Sequence, residues 1–229
     1  MPSRNSVKQY VEDGFYHVYN RGVERRRIFM DDEDYTAFLH LLKYFLSEPQ
    51  RTDEHPLNQL NGFSPVRKRP LTTMHGKIEL HSYCLMPNHF HFLLRQKEKN
   101  AMELLLRKVL TTYAMYFNRR YDRVGHLFQG TYKAMLADDD NQLLHLSRYI
   151  HQNPTLTKKY LNQYPFSSYR NYIGENRSSW LNTDFILSFF QRPRSDLMGV
   201  TDFRNYKEFV EGYDQEPKEI VGKLVLEED

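Results

Sequence analysis

The feature of this 229-residue chain that most restricts its fold is the two-faced segment Met86–Leu94. Alternate side chains of a β-strand point to opposite faces of a sheet. Phe90 and Phe92 therefore share a face that we expect to meet the hydrophobic core. His89 and His91 share the other face, which we expect to be partly exposed. The segment predicts an antiparallel sheet that buries its apolar side under helices.

Patterns around this strand predict the element order β-α-β-β-α-β-α, because periods of two residues alternate with helical spacings of three and four. The first six elements match the split βαβ pattern. We therefore predict an α+β, ferredoxin-like antiparallel sheet with helices on one face plus an extra C-terminal helix. Asn100 and Glu103 should form a capping box on the second helix. The predicted strands are Phe15–Asn20, Lys77–Leu85, His89–Arg95 and Thr131–Ala137, and the helices follow Asp31–Asp34, Asn100 and Asp138–Asp140.

Composition excludes several classes of protein. The longest stretch without Asp, Glu, Lys or Arg is Leu80–Leu94, and His, Asn, Pro and Ser interrupt it. A membrane helix needs ~18 apolar residues in a row. The first ten residues lack the apolar segment of a signal peptide. The single cysteine, Cys84, excludes a disulfide framework and a cysteine-based zinc site, and we expect it to be inert core. A cytoplasmic location is the resulting expectation.

Charge is distributed unevenly along the chain. Residues 1–159 carry 24 Lys and Arg against 17 Asp and Glu, whereas residues 160–229 carry 8 against 12. We predict a domain over residues 1–159 with a basic loop at 49–77, followed by an acidic extension, partly helical and packed on the domain. A basic body favours an anionic partner, of which nucleic acid is the first candidate, although charge alone also fits an ordinary soluble protein.

Two places in the sequence have the residue types of a catalytic site. His89 and His91 would project side by side from one strand face, and neutral imidazole is a common metal ligand; two ordinary surface histidines remain the alternative. On the last helix, His145, Tyr149 and Asn153 are spaced four apart and should form one polar stripe. A tyrosine can be a nucleophile and an amide oxygen suits Mg²⁺ or Mn²⁺. Ring packing and a plain helix end, with Asn153 off helical geometry before proline, are the alternatives.

Several motifs in this order resemble the single-tyrosine transposases of the HUH superfamily, and most closely the REP-associated tyrosine transposases. The asparagine four residues after Tyr149 favours that branch, since glutamine is usual in the mobile insertion-sequence branch. The resemblance covers about residues 14–175. Its motifs are Tyr16–Gly22, Met86–Leu94, Gly125–Lys133, Tyr149–Pro154 and Tyr164–Tyr169.

The resemblance implies a function and assigns roles to individual residues. His89, His91 and Asn153 match the ligands of a divalent metal, Mg²⁺ or Mn²⁺, and Tyr149 matches the nucleophile. The implied protein is a metal-dependent single-stranded DNA endonuclease and strand transferase, which acts on hairpin (REP-like) DNA through a 5′-phosphotyrosine intermediate. The candidate DNA contacts are Arg21, Arg25, Arg26, Arg27, Phe128, Gln129, Tyr132 and Lys133.

Other functions stay open at this stage. A catalytically silent protein that binds DNA or RNA hairpins would use the same fold, since ferredoxin-like sheets also stack bases on exposed strand aromatics. A hydrolase that uses metal-bound water would cut DNA without a covalent adduct. His145, one turn before Tyr149, is expected to be structural rather than catalytic. We expect a monomer more than a homodimer, no small-molecule cofactor and no membrane contact.

Overall fold

A computed structural model describes residues 10–49, 72–154, 158–191 and 203–212 of the chain. Four strands form one antiparallel sheet in the order β2-β3-β1-β4. This order is that of a ferredoxin-like sheet, and the predicted fold class is confirmed. The strands are β1 (Phe15–Arg21), β2 (Ile78–Met86), β3 (His89–Gln96) and β4 (Lys133–Leu136).

The helices follow the strands in the predicted order. The three long helices are α1 (Asp32–Leu46), α2 (Ala101–Arg120) and α3 (Asp140–Gln152). Three short helices come after them in the acidic part of the chain: α4 (Tyr169–Tyr172), α5 (Asp184–Ser188) and α6 (Tyr206–Glu211). Short 3-10 turns occupy Val23–Arg25 and Lys158–Gln163. No helix of the described ranges is both long and apolar enough to cross a membrane.

The first hydrophobic core lies between the sheet and helices α1 and α2. Phe90, Phe92 and Leu94 are fully buried there, as their alternation predicts. Phe38 of α1 and Tyr113 of α2 pack on this face, with ring centroids 4.8 Å apart. The apolar side of β3 therefore meets the core that the sequence pattern requires.

A second core covers the opposite face of the sheet, so the expectation of a partly exposed histidine face was wrong for His91 but holds for His89, which is half-buried. Helix α3 packs on β2 and β3 through Leu143, Leu146 and Ile150, which are buried. Leu93 joins this second cluster, and His91 is fully buried. The amphipathic α3 needs a surface for its apolar stripe, and the histidine side of the sheet supplies it. Helices therefore lie on both faces.

All three long helices begin where the sequence predicts, but the predicted side-chain cap does not form at α2. The side chain of Asp31 accepts hydrogen bonds from backbone amides of α1, and Asp139 does the same for Gln142 at α3. Asn100 instead has a left-handed backbone (φ 64°) and its side chain makes no cap. The Gln96 side chain accepts from the amide of Met102. The predicted capping box was therefore wrong.

Helix α6 anchors α3 from the side away from the sheet. The Tyr206 hydroxyl lies 2.7 Å from Nδ1 of His151 and donates to Ser147 at 3.0 Å. Gln152 donates to the backbone oxygen of Val210 at 2.5 Å. These contacts tie the acidic extension to the helix that carries the candidate tyrosine. Residues 50–71 of the predicted basic loop, and residues 192–202 and 213–229 of the acidic extension, lie outside the described residues.

Candidate active site

Helix α3 and strand β3 bring four predicted site residues together. The imidazole Nε2 of His89 lies 3.0 Å from Oδ1 of Asn153. The ring of Tyr149 meets the ring of His91 edge-on, with centroids 5.4 Å apart. The rings of His89 and His91 are 5.0 Å apart and nearly perpendicular. The two imidazoles, the phenol and the amide thus converge from separate elements at one end of the sheet.

His91 is kept neutral by its surroundings, and one of its two ring nitrogens makes no hydrogen bond to the described residues. Its Nδ1 lies 2.8 Å from Nε2 of His17, and its buried Nε2 has no hydrogen-bond partner among the described residues. Burial, followed by the neighbouring His17 and His89, holds the pKa of His91 well below its ordinary value of 6.5. A neutral ring offers a lone pair, which is what a metal ion requires.

His89 is half-buried and bonded on both sides. Its Nδ1 lies 2.7 Å from Oδ1 of Asn88, the preceding residue. The Asn88 amide also donates to the backbone oxygen of Arg25 at 3.3 Å. The ring of His89 is therefore fixed between the β2–β3 turn and the end of α3, and its Nε2 faces Asn153.

These donors fit a divalent cation. The 3.0 Å between His89 Nε2 and Asn153 Oδ1 is about the separation of neighbouring ligand atoms around an octahedral ion with bonds of ~2.1 Å. Nε2 of His91, which has no hydrogen-bond partner among the described residues, would be the third donor. Two imidazoles and an amide oxygen suit a metal between the soft and hard extremes. No group of three or more His, Cys, Asp and Glu side chains in the described ranges could hold a metal, so the amide oxygen is essential to this set.

The predicted polar stripe of α3 is only partly formed. Tyr149 and Asn153 reach the histidines, but His145 is buried and its Nδ1 bonds to the guanidinium of Arg148. Burial, followed by Arg148, lowers the pKa of His145 to about 4. This placement is compatible with the structural role expected for His145. Asn153 has ordinary helical angles (φ −56°, ψ −35°), so the expected departure from helical geometry before proline was wrong.

The sequence analysis missed His17 of β1 as a site residue. It is fully buried, stacks on His91 with centroids 5.1 Å apart and meets the Tyr149 ring edge-on at 5.8 Å. The signal in the sequence was weak, because a single histidine in a Tyr- and Val-rich strand is ordinary. Only the pairing of β1 with β3, in which His17 lies opposite Leu93, reveals its position.

Several predicted DNA-contacting residues surround one end of β1. Arg21 donates from Nε to Oε1 of Gln129 at 2.6 Å, and Lys133 lies over the ring of Tyr19 at 5.7 Å. The side chains of Arg25, Arg26 and Arg27 are exposed on the adjoining loop. Asn88 connects this loop to His89, so the basic surface adjoins the candidate metal site.

Two predicted base-stacking residues are packed into the protein. Tyr132 is 8% exposed, and its hydroxyl accepts a hydrogen bond from Tyr10 at 3.2 Å. Phe128 is half-buried and packs on Phe90 and Tyr113 with centroids 6.1 and 6.5 Å away. Both rings pack in or against the first core. Tyr132 would therefore have to leave that core in order to stack on DNA.

A groove of about 510 Å³ lies beside these residues, between α2 and the segment before β4. Its lining includes Arg107, Met115, His126 and Phe128. The groove is on the side of the sheet that faces α2, whereas His89, His91 and Tyr149 face α3. The candidate catalytic groups therefore do not line it.

Comparisons with known proteins support the resemblance. Residues 72–153 match the family model described as transposase IS200 like, and this segment contains both histidines, the tyrosine and the asparagine. A solved REP-associated tyrosine transposase bound to a REP hairpin is similar at 14% identity and TM-score 0.50, covering 76% of this chain and 93% of the other. A transposase from Deinococcus radiodurans R1, described as putative in its own structure, has 16% identity and TM-score 0.36 over 63% and 94% of the two chains.

No curated protein matches the chain. At 14% identity, the REP-associated structure supports the fold alone. The sequence match to the IS200-like family model confirms the resemblance over residues 72–153, which include the Met86–Leu94 and Gly125–Lys133 motifs, Tyr149 and Asn153. The chain has an α+β, ferredoxin-like fold, and its residues 72–153 are similar to the IS200-like transposases.

Proposed function

We propose that this protein is a metal-dependent single-stranded DNA endonuclease and strand transferase that acts on hairpin DNA. The observation that carries the proposal is the convergence of Tyr149 and Asn153 from α3 on His89 and His91 from β3. An ordinary core rarely leaves a buried imidazole nitrogen without a hydrogen bond, yet Nε2 of His91 has no partner in the described part of the chain.

His89, His91 and Asn153 would hold the divalent ion, Mg²⁺ or Mn²⁺. When bound, the ion would polarise a non-bridging oxygen of the scissile phosphate. Tyr149 gives up its phenolic proton, and its oxygen forms a bond to phosphorus while the bond to the 3′-oxygen breaks. The products are a 5′-phosphotyrosine and a free 3′-hydroxyl. Attack by another 3′-hydroxyl reverses the step, so the strands are rejoined without an external energy source.

The basic surface at the end of β1 would hold the DNA. Arg25, Arg26 and Arg27 are exposed next to the turn that precedes His89, and Lys and Arg side chains supply most of the affinity for phosphates. Arg21, Gln129 and Lys133 extend this surface across β1 and β4. We propose these six residues as contacts, with Phe128 at the border and Tyr132 left in the core.

The same site supports proposals for the substrate and for the oligomeric state of the protein. The similar structure was solved with a REP hairpin, and we propose an imperfectly palindromic hairpin as the substrate here. Metal donors and tyrosine come from one chain, which supports a monomer that cuts with its own tyrosine. We further propose that residues 1–159 form the catalytic domain, that the acidic residues 160–229 are an extension that supports α3, and that the protein acts in the cytoplasm.

The proposal is tested with the purified protein, single-stranded hairpin DNA and Mn²⁺ or Mg²⁺. We expect a protein–DNA adduct that survives denaturation, together with a product that ends in a 3′-hydroxyl. Tyr149→Phe should abolish both while DNA affinity stays within about twofold of the parent. Tyr44→Phe, on α1 away from the histidines, is the matched control and should leave both unchanged.

The alternatives predict different products. Hairpin binding without cleavage in the presence of either metal would identify a silent binding protein. Cleavage without an adduct, retained in Tyr149→Phe, would identify a hydrolase that uses water. Base stacking on exposed strand aromatics, as in RNA-binding sheets, is disfavoured because α3 covers the histidine face and α1 and α2 cover the other.

A further inference from the structure

His17 and His91 form a buried pair that lies below the candidate metal site. Nε2 of His17 is 2.8 Å from Nδ1 of His91, and both rings are fully buried. The rings are nearly parallel, 15° apart, with centroids at 5.1 Å. The contact joins neighbouring strands β1 and β3, and the register of the sheet sets their separation. His91 therefore cannot turn its ring without losing a buried hydrogen bond.

The direction of this hydrogen bond decides which nitrogen of His91 carries the lone pair. One neutral imidazole has one N–H and one lone pair, and the partner of one nitrogen sets the state of the other. If Nδ1 of His91 carries the proton and donates to His17, the lone pair lies on Nε2. That nitrogen is the buried atom without a partner among the described residues. A hydrogen bond donated from His91 to His17 is therefore the arrangement that leaves a lone pair for a metal.

His89 is arranged in the same way by a different residue. Its Nδ1 lies 2.7 Å from Oδ1 of Asn88, an acceptor, and its Nε2 faces Asn153. Both imidazoles therefore have Nδ1 engaged, while Nε2 of His89 faces Asn153 and Nε2 of His91 has no hydrogen-bond partner among the described residues. This common orientation would be a coincidence if His17 were only filling the core.

We propose that His17 is a positioning residue, which fixes the ring orientation and the tautomer of His91 so that Nε2 can bind the cation. The inference rests on the proposed function, because it assumes that His91 is a ligand. Residues that bond to metal ligands typically change metal affinity by about 10–100-fold when they are replaced. We expect an effect of that size at His17.

The test is Mn²⁺ affinity measured without DNA, by the loss of the free-ion electron paramagnetic resonance signal. The variants are His17→Gln, His17→Asn and His17→Leu. A glutamine amide reaches about the place of Nε2, whereas an asparagine amide stops near Nδ1. We expect Gln to keep affinity within about threefold of the parent, and Asn and Leu to weaken it by about 10–100-fold.

Two controls separate positioning from folding and from surface binding. Thermal unfolding of each variant without metal reports its stability, and the affinity is compared at a temperature where all are folded. His75→Leu, an exposed histidine before β2, should leave the Mn²⁺ affinity unchanged. The nitrogen hyperfine pattern of bound Mn²⁺ should show two imidazoles in the parent and in His17→Gln.

Mn²⁺ affinity equal to that of the parent in the Leu, Asn and Gln variants would overturn the inference. Equal weakening of Mn²⁺ affinity in all three variants, at matched stability, would overturn it as well. The outcome is separate from that of the proposed function. If the parent binds Mn²⁺ through two imidazoles and responds to His17 but forms no DNA adduct, the positioning role holds and the nuclease proposal fails.

Discussion

Replacing Phe209 by alanine should release the tyrosine helix from the rest of the protein. Phe209 of α6 is fully buried and packs on Phe190 and Phe203 with centroids 5.4 and 5.6 Å away. The guanidinium of the buried Arg148, next to Tyr149 on α3, lies 4.4 Å from its ring. A buried Phe→Ala substitution costs about 3–5 kcal/mol. Part of that cost is the cation–π contact, which is worth up to ~2 kcal/mol when desolvated.

The expected effect is local. Helix α3 is held by the sheet on one side and by α6 on the other, so loss of the α6 contact should lower the free energy of opening α3 by about 3–5 kcal/mol. Native-state hydrogen exchange measures this opening residue by residue. Amides in α3 should exchange at least about 100-fold faster, whereas those of α1 and α2 stay protected. Adduct formation should fall more than DNA binding.

Phe38→Ala is the matched control for this experiment. Phe38 is equally buried but lies in the first core, where it packs on Phe90 and Tyr113. Its loss should open α1 before α3. Equal exchange of α3 in the two variants would refute the claim that α6 holds the helix, and so would full protection of α3 in Phe209→Ala.

The remaining predictions concern pH, DNA and metal. Because the folded pKa of His145 is about 4 against 6.5 ordinarily, its contribution to stability is complete above pH 6.5. This contribution to stability is lost as the pH falls from 6.5 towards 4, by roughly 1 kcal/mol per pH unit. The urea midpoint of His145→Leu should therefore vary less with pH over this range than that of the parent. Arg26→Ala with Arg27→Ala should weaken hairpin binding and reduce the salt slope by ~0.7 for each lost phosphate contact to a single strand, without changing Mn²⁺ affinity. Asn88→Ala removes the 2.7 Å contact to His89 and should weaken Mn²⁺ binding by about tenfold; titration of the metal-free protein measures it.

The order of elements could be predicted because apolar residues recur with clear strand and helix periods along the chain. Phe90 and Phe92 alternate with the histidines, and Leu143, Leu146 and Ile150 follow helical spacing, so strand and helix faces were correct. The pattern did not identify the surface against which each strand or helix face packs. The apolar stripe of α3 did not say which surface it covers, and the histidine side of the sheet was therefore expected to be exposed.

Single polar residues were less predictable because tertiary partners decide their roles. Asn100 followed a capping pattern, but the side chain of Gln96 reaches the amide of Met102 instead. His17 carried no motif of its own, and only strand register places it against His91. Tyr132 was an aromatic in a basic segment, which fits base stacking as well as it fits the core that it occupies.

The most direct test of the central claim is to identify the residue that carries the DNA. Trypsin cuts after Arg148 and Lys158, and the peptide 149–158 contains a single tyrosine among the 17 of the chain. After reaction with hairpin DNA and nuclease trimming, mass spectrometry should find a nucleotide 5′-phosphate on Tyr149 in this peptide. A nucleotide on any other tyrosine, or a cut strand with every peptide unmodified, would contradict the account.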